Sequence, residues 1–144
     1  MKTRYSSLVS VKKNAMQKSE RVVQDANKKL RDAQEALQKS IEELQEITSP
    51  QHGFIAEFLA NRTLLDSQRA LIKHNEEWVH YANSQLQNAR EALKYDMIEY
   101  EKFKYLELQE IEKFLKEKKI QEAKDLDEIA LMTFGNKNDK RQAL

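Results

Sequence analysis

Thr48-Ser49-Pro50-Gln51-His52-Gly53 decides the fold, because it gathers the only cluster of helix breakers in the chain. Proline lacks a backbone donor and pushes the residue before it out of the helical region, while glycine tolerates positive φ, so a turn belongs here. On either side the sequence is helix-forming for many turns.

Moving back from the turn, a heptad places Val9, Met16, Val23, Leu30, Leu37 and Leu44 at a, with Lys12, Ser19, Ala26, Ala33, Ser40 and Ile47 at d. Moving forward, a second places Phe58, Leu65, Ile72, Val79, Leu86, Leu93 and Tyr100 at a, with Asn61, Gln68, Asn75, Ala82, Ala89, Asp96 and Phe103 at d. A seven-residue repeat held this long predicts left-handed supercoiling with knobs packed into holes. Folding the chain at the turn sets Leu44 opposite Asn61, Leu37 opposite Gln68, Val23 opposite Ala82 and Met16 opposite Ala89. In the other direction Leu65 meets Ser40, Ile72 meets Ala33 and Val79 meets Ala26, and Tyr5 ends near Tyr100. Large residues face small ones at most layers, as close antiparallel packing requires.

The expected fold class is therefore all-α, a long antiparallel two-helix coiled-coil hairpin with an overhanging C-terminal helix. One coiled-coil domain is expected over residues 1–144, with a helix over about 4–48, a turn at 49–53, a helix over about 54–132 and a flexible tail at 135–144. The first helix runs out near Tyr5, whereas helical sequence continues from Glu101 to about Met132. At about 1.5 Å per residue this overhang reaches on the order of 45 Å. Its heptad phase slips near residues 105–108, and Leu108, Ile111, Phe114, Leu115, Leu126, Ile129, Leu131, Met132 and Phe134 give it apolar surface that needs a cover.

Composition supports long helices and excludes several functions. Among 144 residues there are 2 Gly and 1 Pro, 34% are charged, and the net charge is +1, which is no polycation for nucleic acid. With no Cys there are no disulfides or thiolate metal sites, and no stretch has the length of a signal-peptide core or a membrane span. A soluble, cytoplasmic protein without direct membrane insertion is expected. There is no Gly-rich phosphate loop, no HExxH and no nucleophile beside a base. His74 and His80 fall on different helix faces, and with His52 they read as ordinary surface residues. Paired acids such as Glu42-Glu43 and Glu76-Glu77 lack a concave scaffold. The expectation is a non-enzyme with no cofactor and no metal.

Three features could carry binding, each with a plainer alternative. Leu64, Leu71 and Trp78 sit at successive g positions, either widening the core stripe or forming a docking strip with an aromatic anchor. Lys2, Arg4, Lys12, Lys13, Lys18 and Arg21, against Glu20 alone, make the start of the chain basic, which is either a solvated face or a polar dock. The run at 122–134 joins Leu126, Ile129, Ala130 and Phe134 to Asp125, Asp127 and Glu128. It either folds onto its own hairpin or plugs into a partner.

The opening MKTRYSSLVSVKK (residues 1–13) and the closing KDLDEIALMTF (residues 124–134) resemble the FliJ family of flagellar type III export proteins. The opening carries the family's aromatic, then Leu, then apolar-basic pattern, and the ending its Leu-Asp-Glu-x-Ala run. Thr133 stands where the family commonly has a basic residue. The resemblance implies a coiled-coil stalk, similar in shape to the central shaft of rotary ATPases, that inserts its open end into the ring of a hexameric export ATPase. It also implies contact with the cytoplasmic domain of the membrane export gate and with export chaperones, and a peripheral location at the cytoplasmic side of the membrane. Carried over, the ring-facing residues are Lys2, Arg4, Tyr5, Leu8, Lys12 and Lys13, with Leu126, Asp127, Glu128, Ala130 and Phe134. No family motif transfers the gate or chaperone contact, for which Leu64, Leu71 and Trp78 are the candidates. The rival expectations are a self-associating structural coiled coil, with the overhang buried by a second copy, a stalk of a related virulence secretion system, and a membrane-surface or nucleic-acid binder using the basic end.

Overall fold

The computed structural model describes residues 2–142. Two helices account for nearly all of them: α1, Ser6–Glu46, and α2, Ile55–Gln142, with no strand among the described residues. Contacts group the chain into two compact units, one formed by Lys13–Ile98 and one by Met1–Lys12 with Glu99–Leu144.

In the unit of residues 13–98, α1 ends where Ile47 and Thr48 lead into Pro50, and the Ile47 N–H closes onto the Leu44 carbonyl at 3.2 Å. The connection runs over residues 47–54, wider than the expected 49–53. Gly53 has φ +147°, a conformation that side-chain-bearing residues rarely adopt. Beyond it the Phe54 carbonyl accepts the Glu57 N–H at 3.0 Å, and the Glu57 carboxylate lies in the first turn of α2, where it complements the helix dipole.

The two helices of this unit then pack along the expected seam. Ala26, Ala33, Ser40, Ala82, Leu86 and Ala89 are buried, and Ala33 retains only 1% of its surface. The large a residues around them, from Met16 to Leu44 and from Leu65 to Leu93, are half-buried apart from Leu86, which is buried. A two-helix seam can cover one side of a leucine but not both, so the small residues go deepest. Phe58 departs from the pattern and is exposed, because the last turn of α1 does not reach it.

The register differs from expectation by about one heptad. Ala26 clusters with Leu86 and Ala89, with Val23 and Leu30 packed against them, rather than facing Val79. Ser19 donates to the Asp96 carboxylate instead of meeting Leu86. Asn75 Nδ2 reaches the Ala36 carbonyl at 3.3 Å and Ser40 Oγ at 3.2 Å, and Gln68 Nε2 reaches the Ser40 carbonyl at 2.8 Å. The physical reason is that sliding by seven residues leaves large facing small, so apolar pattern alone cannot distinguish these registers. Asn75 and Gln68 do distinguish them, because each finds its acceptors on α1 in the observed register. Ser40 completes the network by donating to the Leu37 carbonyl at 2.7 Å.

In the other unit, α1 starts on a reciprocal cap. Thr3 Oγ1 accepts the Tyr5 N–H at 3.1 Å while Ser6 Oγ accepts the Thr3 N–H at 2.8 Å, which satisfies donors that the first helical turn leaves free. Residues 2–12 lie along residues 99–111, with Glu99, Tyr100, Phe103, Leu106, Glu107, Glu110 and Ile111 half-buried. Arg4 pairs with Glu110 at 3.7 Å, so Tyr5 is not placed opposite Tyr100 as expected, and the paired stretch extends to Ile111 rather than stopping at Tyr100. From 112 to 136 every side chain is exposed. The helical backbone continues through Gly135 to Gln142, past the expected end near Met132, and Ala143 and Leu144 lie outside the described residues. One glycine costs a helix only about 1 kcal/mol relative to alanine, too little to force a stop.

Candidate functional site

The sequence nominates two ends of the unit built from residues 1–12 and 99–144. At the start of the chain, Lys2, Arg4 and Leu8 are exposed and Tyr5 is half-buried. The Arg4 guanidinium lies over the Tyr5 ring at 5.0 Å while it pairs with Glu110. Lys12 is different. It fills a d position of the seam, its ammonium 3.7 Å from Glu99 and 5.6 Å from the Phe103 ring centre, with a side chain only 31% exposed. A lysine held this way spends its charge inside the chain. Lys13 is exposed and belongs to the unit of residues 13–98.

The second nominated group lies on α2. Leu126, Asp127, Glu128, Ala130 and Phe134 are all exposed, and Phe114, Leu115, Ile120, Ile129, Leu131 and Met132 are exposed with them. At 100° per residue these apolar side chains occur on every face of the helix and not on one stripe alone. The two nominated groups do not converge. Arg4 touches Glu110, and the sixteen residues from there to Leu126 carry the helix about 24 Å further.

In the unit of residues 13–98, Leu64, Leu71 and Trp78 are all exposed. Trp78 stacks on Tyr81, ring centres 5.7 Å apart and planes inclined by 30°. This pair walls a groove of about 540 Å³ whose floor is made by the small residues Ala26, Ala82 and Ala89 and whose far side is Val22, Asp25 and Lys29. Methyl side chains at three neighbouring seam positions leave room that leucines would fill, and the aromatic pair borders that room. Tyr81 was not among the sequence candidates. Its signal was present, since aromatic residues three apart on a helix share a face. Phe54, Ile55, Phe58 and Leu59 beside the turn are exposed as well.

Among the described residues no three His, Asp or Glu side chains come together as a metal site would require, and no buried side-chain N or O atom lacks a hydrogen-bond partner. No helix among them is long and apolar enough to cross a membrane. What the surfaces offer is contact: exposed apolar side chains, an aromatic-walled groove, and ionic groups of both signs.

A model of the family described as flagellar FliJ protein matches residues 1–139. A search of curated proteins and a search of solved structures each found no match. The family match takes in both terminal runs, the turn and the seam between them. The chain therefore belongs to the FliJ family and is a component of the flagellar export apparatus.

Proposed function

We propose that this protein is a non-enzymatic stalk whose overhanging C-terminal helix inserts into the ring of the hexameric export ATPase. The observation that carries the reading is the exposure of residues 112–136, whose apolar side chains occur all round the helix. A single partner helix covers one stripe, whereas the hole of a ring surrounds its occupant and meets every face. Leu126, Ala130 and Phe134 supply the apolar contacts, and Asp127 and Glu128 supply charge that favours some orientations within a nearly symmetric ring. Lys2, Arg4, Tyr5 and Leu8 add a basic rim, with Lys13 as a further cation. Lys12 contributes by holding the helices together.

Leu64, Leu71 and the Trp78–Tyr81 pair serve a different partner in this reading, the cytoplasmic domain of the export gate or an export chaperone. A rigid aromatic pair beside an open groove is the arrangement in which interface energy concentrates. Such coupling places the protein at the cytoplasmic face of the membrane through its partners.

The test is a chain ending at Glu112, which keeps the half-buried residues through Ile111. It should retain helical content and cooperative unfolding yet fail to co-purify with the export ATPase. Recovery of the ATPase at the full-length level would overturn the stalk reading. In parallel, Trp78→Ala should weaken capture of the gate domain or chaperone while leaving ATPase capture intact.

A further inference from the structure

Residues 105–133 follow a heptad of their own. Leu108, Glu112, Leu115, Lys119, Glu122, Leu126, Ile129 and Thr133 recur at alternating intervals of four and three along continuous α2, and all eight are exposed. The stripe that faces residues 2–12 is a different one, running through Tyr100, Phe103, Glu107 and Glu110. Three charges in the stripe, Glu112, Lys119 and Glu122, rule out most ways of covering it, because each would be desolvated without an opposite charge.

The stripe is complementary to its own reverse. Turned end over end about the point between Ile120 and Gln121, it sets Leu115 opposite the second copy's Leu126, and Lys119 opposite the second copy's Glu122. Along one flank Lys118 then faces the second copy's Asp125, and Ile111 its Met132. Two-fold symmetry repeats each pairing. Glu112 against Ile129 and Leu108 against Thr133 do not match, both toward the ends of the stripe where the polar groups remain within reach of water. Other arrangements lose this agreement. A parallel pairing puts Lys119 on Lys119 and Glu122 on Glu122. Sliding the antiparallel pair by one heptad brings Lys118 onto Lys118 in one direction, and Asp125 onto Asp125 in the other. Charge at core and flanking positions is what selects orientation and register in coiled coils, and here it selects one of each.

We infer that this stripe is a self-association surface, on which a second copy of the chain packs antiparallel to form a two-fold symmetric dimer. The inference goes beyond the stalk reading, and the two states exclude each other because both occupy Leu115, Leu126 and Ile129. The dimer covers one face and leaves Leu131 and Phe134 exposed, so a ring that meets every face displaces it.

Sedimentation equilibrium of the full chain tests this. The unaltered protein should show a monomer–dimer equilibrium at high micromolar concentration. Lys119→Glu and Glu122→Lys, each alone, should weaken it by at least about tenfold, since each turns two symmetric attractions into repulsions. An equimolar mixture of the two variants should associate again, because each copy then supplies the charge the other lacks. Recovery in the mixture is a result that an intrahelical role for these side chains does not produce. A monomer at every concentration would overturn the inference and assign the stripe to a different protein. So would variants that associate like the parent, or a mixture that stays monomeric. ATPase capture is not among the readouts, so failure here leaves the stalk reading standing.

Discussion

Residues 13–98 and residues 112–136 are about equally rich in apolar residues and share one helix, yet they treat apolar side chains in opposite ways. In the first, Leu86 and the alanines at 26, 33, 82 and 89 are buried, and nearly every other large seam residue is half-covered. In the second, Leu115, Leu126, Ile129 and Phe134 are all exposed. Hydrophobic content does not separate them; the residues between the large ones do. Small side chains at d let two helices approach closely, whereas Lys119 and Glu122 interrupt the large residues of the second region with charge.

The sharpest way to break this comparison is to ask whether the seam has the register that the polar contacts imply. The chain has no native Cys, so introduced thiols report cleanly. Ser19→Cys with Asp96→Cys should join almost completely under a short thiol-reactive cross-linker, while Ser19→Cys with Leu86→Cys should stay open. The opposite yields would restore the register one heptad away and undo the assignment of Asn75 and Gln68 as its determinants.

That register marks the boundary of what was legible in the amino acids. The turn was readable from Pro50 and Gly53, and the seam from the a and d positions, because helix breaking and periodic burial are local consequences of residue type. Slippage by a heptad was not readable, since Val23 finds a small partner in either register. Only the hydrogen-bonding needs of Asn75, Gln68 and Ser19 discriminate, and those become visible once the connection is known to span residues 47–54. The exposed apolar end was legible from its residues, Leu115, Leu126, Ile129 and Phe134 among them. Its start moved from Glu101 to residue 112 for the same reason, the slide of one helix along the other. The Trp78–Tyr81 groove was half-legible: the tryptophan stood out, but the room beside it exists only because three small residues meet there.

A second prediction sets one leucine from each region against the other. Leu86→Ala removes the most buried large side chain and should lower stability by about 2–4 kcal/mol, read by urea unfolding followed by circular dichroism. Leu126→Ala deletes the same atoms from a side chain that is 67% exposed, and should change the unfolding of the monomer by less than about 0.5 kcal/mol. Equal effects would mean that residues 112–136 are packed against their own chain.

Gly53 gives a smaller effect. Alanine there must adopt φ near +147°, and its Cβ would also crowd the Glu57 carboxylate, which is flexible enough to move aside. The backbone term therefore dominates, and Gly53→Ala should cost roughly 1–2 kcal/mol. Adding Glu57→Ala should not recover that loss, since removing the side chain relieves the contact but not the backbone strain.

The smallest expected effect is at Lys12, and it separates a seam role from a docking role within one residue. Its stem packs in the seam while its ammonium pairs with Glu99, whose side chain is 19% exposed, and rests over Phe103. Lys12→Met keeps the stem and removes the charge. The loss should be below about 1 kcal/mol, because a partly solvated ion pair contributes little and the apolar contacts survive. It should shrink further in high salt, where screening has already weakened the pair in the parent. ATPase capture should be unchanged, whereas Lys2→Ala with Arg4→Ala should reduce it, since those cations face outward. If Lys12→Met abolished capture while stability held, the lysine would have to leave Glu99 and Phe103 on docking, and this part of the seam would be an interface that opens.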